Sequence, residues 1–167
     1  MQHLKPLHKD AIPKALTRAK HYRLLNEPWQ AESICRDILS VDPNNQAALL
    51  NLVLAKTDQF GTTKSNTYSE AKRACAKLKD EYERFYYRGI IEERRGKEAL
   101  NRNTHRVKYI AYEHYRTAME YFEKAEKIHP PGNEDAILRY NACSRRIKEF
   151  NLRSAPDEGH IQPFLDV

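Results

Sequence analysis

Apolar residues recur every three or four positions along most of this chain, the spacing that gathers side chains on one face of a helix. The clearest stretch is 115–130, where Ala118, Phe122 and Ala125 form a stripe that Pro130 closes. The same pattern stands earlier as Ala31, Cys35, Ile38 and Pro43, and more weakly as Ala71, Cys75 and Leu78, so one helical unit repeats. A first helix is predicted over 11–25, with Asp10 as its N-cap, Pro13 in its first turn and Ala15, Ala19 and Tyr22 on its buried face. Asn26-Glu27-Pro28 turns the chain into a second helix over 29–41. A third, over 45–59, is apolar nearly all round through Leu49, Leu50, Leu52, Val53 and Leu54, as befits a helix packed between neighbours.

Beyond the polar connection 61–66, Thr67 and Glu70 read as a capping box opening a fourth helix with Tyr68, Ala71, Cys75, Leu78 and Tyr82 inward. The fifth runs from Glu81 to Ala99 or Leu100, with Gly89 placed to let another helix approach closely. Asn101-Arg-Asn-Thr104 favours a turn, with Asn103 or Thr104 capping a sixth helix of about 25 residues, roughly 37 Å long. A last helix over 133–151 places Ala136, Tyr140, Cys143, Ile147 and Phe150 on one face, leaving Arg139, Arg145, Arg146 and Glu149 towards water. The resulting division is a lead over 1–10 anchored only by Leu4 and Leu7, a helical domain over 11–151, and an extended tail over 152–167.

Composition narrows the class. The 167 residues suit one domain, and five glycines argue against a glycine-turned β-barrel or sandwich, so the expected fold is all-α. Twenty-nine basic and 23 acidic residues leave a net charge of +6, but the two signs are interspersed, as on solvated helix faces. Cys35, Cys75 and Cys143 are odd in number, far apart and each on an apolar stripe, which reads as reduced core thiols and not as a disulfide framework or a zinc site. The start lacks the apolar run of a signal peptide and no segment has the length of a membrane span, so a cytoplasmic protein with no membrane partner is expected.

Ala19, Tyr22, Ala31, Cys35, Ile38 and Pro43, followed by Asn45, stand at the spacings of a tetratricopeptide repeat, which this stretch resembles. Gly89, Tyr115, Ala118, Phe122, Ala125 and Pro130 are similar to a further unit, although 29 residues separate Gly89 from Ala118 where the first unit has 12 between Ala19 and Ala31. The unit between them is irregular: Val53 and Ala71 lie 18 apart and Glu83 stands where the family has proline. The resemblance spans 11–150 and implies an α-solenoid of about three helical hairpins, over 11–44, 45–80 and 81–130, with 133–151 as a capping helix. It also implies a concave groove for a peptide or protein segment, lined by Leu16, Lys20, Arg23, Leu50, Asn51, Leu54, Tyr86, Tyr87, Ile90 and Glu93. That groove should be apolar and aromatic, rimmed by charge. A subgroup grips a terminal carboxylate through positions that fall here on Leu16, Lys20, Asn51, Glu83 and Tyr87; only Asn51 keeps the residue type, so that clamp is not expected.

These residues point to a non-catalytic interaction adaptor. Seven scattered histidines form no H-x-x-x-H pair, and no glycine-rich phosphate loop occurs, so neither catalytic residues, a metal nor a cofactor is expected. The acidic residues fall on helical faces at spacings that ion pairs with Lys and Arg explain. A second surface, over 97–115, combines Lys97, Arg102, His105, Arg106 and Lys108 with Tyr109, Tyr112 and Tyr115, a mixture able to grip phosphates and stack bases. Glu98 and Glu113 dilute that charge, which favours a solvated face over an RNA site. The remaining reading is a monomer or weak homo-oligomer in which Ile161, Pro163, Phe164 and Leu165 of the tail fill a groove.

Overall fold

The computed structural model describes residues 3–62, 66–102 and 106–156. Among them the fold is all-helical, with seven α-helices and no strand: α1 (Ile12–Leu24), α2 (Pro28–Val41), α3 (Gln46–Thr57), α4 (Thr67–Ala76), α5 (Glu81–Leu100), α6 (Val107–Glu126) and α7 (Asp135–Glu149). Asn103 and Thr104, expected as a cap, and the apolar tail residues from Ile161 onward lie outside the described residues.

Local chemistry sets the ends. Asn45 caps α3 by accepting from the Ala48 N–H at 2.9 Å, and Asp80 caps α5 by accepting from Glu83 N–H at 2.8 Å. Two helices are closed by an asparagine: Asn26 opens the turn expected from the sequence, whereas Asn151 falls within the span expected of the last helix. Asn26 at φ 59° and Asn151 at φ 49° take the left-handed conformation after α1 and α7. The next residue then donates back to the helix, Glu27 N–H to Tyr22 O and Leu152 N–H to Ile147 O, each at 2.9 Å. The second of these turns drives Leu152 into the core at 6 % exposure. Elsewhere the expected starts shift. Asp10 lies inside a 3₁₀ turn, Lys9–Ala11, and gives α1 no side-chain cap; Thr67 is the first residue of α4 and is buried, with Asn66 at the capping position. The sixth helix has 20 residues, not about 25, because it begins at Val107, with Arg106 at the capping position, and the chain leaves it at Lys127, before Pro130.

Each helix packs on its neighbours in sequence, and α3 also touches α1 and α5, which accounts for its apolar circumference. Leu7 packs on Ile12, Ile38 and Ala48, whereas Leu4 is exposed. The most extensive interface joins α5 to α6. Glycine makes it possible: a Cβ on Gly89 would lie 2.5 Å from the Phe122 ring, and one on Gly96 would lie 3.1 Å from the Tyr115 ring. Ala118, Phe122 and Ala125 are fully buried in this interface, and burying a side chain the size of Phe122 contributes about 2–3 kcal/mol. Cys35, Cys75 and Cys143 are buried free thiols whose pKa values burial raises to about 12, 11 and 12.

Not every acidic residue sits on a solvated face. Glu32 of α2 and Lys56 and Gln59 at the end of α3 meet in the interior, with Glu70 of α4, 29 % exposed, at their edge: Lys56 Nζ donates to Glu32 Oε1 at 2.7 Å and to Glu70, and Gln59 Nε2 donates to Glu32 Oε2 at 2.7 Å. Burial alone would raise the Glu32 pKa, but the bonds from Lys56, Gln59 and Arg36 outweigh it and hold the carboxyl at about 2. A second knot ties α4, α5 and α6. Glu92, 2 % exposed, accepts from Tyr68 Oη at 2.8 Å, lies 2.9 Å from His114 Nδ1, and pairs with Arg88 at 2.9 Å. Burial pushes the Glu92 carboxyl up, and the contacts with His114 and Tyr68 bring it below its ordinary value.

Candidate functional site

A cleft of about 750 Å³ opens where α1 and α3 end beside the second half of α5. Arg23 and Leu24 line it from α1, Thr57 and Asp58 from the end of α3, and Arg94, Lys97 and Glu98 from α5; Asn101 and Arg102 close one side. Asp58 organises this region. Its Oδ2 accepts from Arg23 Nε at 2.7 Å, while its Oδ1 accepts from Arg94 Nη1 at 2.5 Å, and the same nitrogen donates to Thr57 Oγ1 at 2.6 Å. One carboxylate thus holds two guanidiniums side by side. Each guanidinium has five N–H donors, so most remain for something else to accept. Burial pushes the Arg94 pKa below its ordinary value; Asp58 opposes that push, and the cations Arg23 and Arg139 reinforce it.

A second hollow of about 390 Å³ meets the first at Arg94 and Lys97. Its other side is Ala142, Arg145, Arg146 and Glu149 of α7, so the face expected to be merely solvated lines a cleft instead. Arg139 donates to Glu93 Oε1 at 3.3 Å, whereas Glu93 Oε2 is buried without a hydrogen-bond partner. Burial raises the Glu93 pKa against the pull of Arg139, Arg94 and Lys97.

The residues expected to line an apolar groove divide by depth. Arg23 lines the cleft, Lys20 is exposed one turn before it, and Glu93 lines the second hollow. Asn51 does not present its amide to a ligand: it is 2 % exposed and donates to the Ala47 carbonyl at 2.8 Å. Ile90 is also 2 % exposed, inside the α5–α6 core. Leu16, Leu50 and Leu54 are half-buried against the core clusters. Tyr86 stacks on Tyr82, meets Tyr87 edge-on and tilts against Phe122. The open surface therefore takes in the last of the expected residues, Arg23 on α1 and Glu93 on α5, and continues past them through Leu24, Thr57, Asp58, Arg94 and Lys97.

The second surface also separates in space. Arg102 lies in the cleft and pairs with Glu98 at 2.6 Å; Arg106 and Lys108 are exposed at the start of α6. Tyr109 is half-buried, Tyr112 packs against the core, Tyr115 is buried, and His105 lies outside the described residues. Bases and tyrosine rings that alternate in sequence do not alternate on one surface.

No family model, curated protein or solved structure matches this chain. The cleft is read from its own chemistry. Its lining offers hydrogen-bond donors and positive charge, with the hydroxyls of Thr57, Thr62 and Tyr115 and no histidine or cysteine among the lining residues. Such a surface suits the binding of an anionic or hydrogen-bonding segment. Among the described residues no helix is long and apolar enough to cross a membrane.

Proposed function

We propose that the protein is a non-catalytic interaction module, a tetratricopeptide-like α-solenoid capped by α7, that holds a peptide or protein segment in the cleft along α1, α3 and α5. The observation that carries this reading is the cleft itself, to which three successive odd-numbered helices contribute side chains. Supporting it, α3 touches both α1 and α5, the arrangement of hairpins stacked in a row. The small residues of the resemblance, Ala19, Ala31, Ala118 and Ala125, are fully buried. Buried unpaired thiols suit a reducing compartment, which favours the cytoplasm.

A photo-crosslinking residue at Lys97, inside the cleft, tests the reading against the same residue at Arg73, exposed on α4. In extract from the native host, Lys97 should give a discrete protein adduct that Arg73 does not. Equal adducts at both positions, or none at either, would remove the cleft as the interaction site.

A further inference from the structure

The chemistry of the cleft narrows its occupant, provided that the cleft is where a protein segment binds. We infer that the segment bound is acidic: an extended stretch of a partner protein carrying several Asp or Glu side chains, seated across Arg23, Arg94, Lys97 and Arg145.

Four acidic side chains line the two hollows, and each is already engaged. Asp58 is shared by Arg23 and Arg94, Glu98 by Arg95 and Arg102, Glu93 faces Arg139, and Glu149 faces Arg146. Lys97 and Arg145 line the same hollows, are exposed, and have no acidic side chain within ion-pair distance among the described residues. The surplus is positive: six basic side chains line the two hollows against four acidic ones, and Lys97 acts on Glu93 only at a distance. Asp58 adds organisation to it, because two guanidiniums fixed on one carboxylate are held for bidentate contact with a further carboxylate without losing side-chain freedom at binding.

Two other occupants fit less well. A segment anchored by several large apolar residues would need Leu16, Leu50, Leu54 and Ile90 at the surface, but these are half-buried or buried, and Leu24 is the one leucine exposed in the cleft lining. Single-stranded RNA would need free aromatic faces for its bases. The aromatic residues of the lining are committed elsewhere: Phe60 packs on the Tyr68 ring, and Tyr115 is 2 % exposed. Carboxylates need only the donors that are present.

The test is fluorescence anisotropy on the full chain, with a labelled, end-blocked peptide of alternating Glu and Ala, its Gln-for-Glu counterpart, and a labelled oligouridine of similar length. The Glu peptide should bind saturably and weaken as salt rises, with the Gln peptide ~10-fold weaker. Lys97→Glu with Arg145→Glu should weaken the Glu peptide by ~10-fold or more. Should that pair fail to fold, Lys97→Gln with Arg145→Gln serves the same purpose. The inference is overturned by equal binding of both peptides, by an unchanged affinity in the variant, or by binding of oligouridine without the Glu peptide. If the Glu peptide fails while the Lys97 crosslink still traps a protein, acidity is rejected and the interaction module survives; if both fail, both are rejected.

Discussion

The Glu32–Lys56–Glu70 knot and the Arg23–Asp58–Arg94 cluster use the same residue types at opposite ends of one design. In the knot, a cation that is 3 % exposed is shared by two carboxylates, with Gln59 and Arg36 satisfying the rest of Glu32. In the cluster the shares are reversed: one carboxylate serves two cations, each 20–30 % exposed, beside an open cleft. Buried charge must be fully paired, because desolvation penalises any remainder. Partly exposed charge can be left in excess, because water covers the deficit until a ligand replaces it. Enclosure thus makes the first group a clasp between helices and openness makes the second a surface for recognition.

The largest way to break this comparison is Lys56→Met. It leaves the buried Glu32 without the cation it shares with the partly exposed Glu70 and should cost about 3 kcal/mol in urea unfolding. Acid acts on the same knot from the other side. The Glu32 carboxyl is depressed from 4.5 to about 2, so its contribution is complete above pH 4.5 and disappears as pH falls towards 2. Over that window the wild type should lose about 3 kcal/mol more than Glu32→Gln, read from melting curves at successive pH values. A flat difference between the two would show that the knot is not the clasp.

Asp58→Asn should cost less, about 1 kcal/mol, since its partners are partly solvated and can turn to water. A loss as large as that of Lys56→Met would make the cluster structural and dissolve the contrast. Smallest of all, Lys97→Glu should leave the unfolding free energy within about 0.5 kcal/mol of wild type while changing peptide binding. Stability and recognition would then separate at a single residue.

How much of this is readable in the sequence depends on distance along the chain. The helices are, because each is specified by an apolar period within a few residues of itself: Ala31, Cys35 and Ile38 are buried where their spacing puts them, as are Ala118, Phe122 and Ala125. Gly89 is readable as a point of close approach, but Gly96 looks like an interruption and proves to seat Tyr115. Asn26 is readable as a turn residue before Glu27-Pro28, but Asn151 is an ordinary polar residue until the chain turns left-handed through it. Lys56 and Glu32 are 24 positions apart, and nothing local marks either as buried. The cleft shares only Arg23 and Glu93 with the residues that the repeat spacing points to, and half of its second hollow comes from the arginine face of α7, indistinguishable in sequence from a solvated helix face.

The sequence by itself determined the helices, most of their boundaries and which stripes are apolar, because these follow from periodicity and from capping and turn residues acting over one or two turns. Only the tertiary structure decided which charges are buried, which are paired and which remain in surplus around a cleft. Periodicity says that a charged side chain faces away from its own helix's core stripe. Whether water, a neighbouring helix or an open hollow lies there is set by residues far away in the chain, and the electrostatic cost of each differs by several kcal/mol.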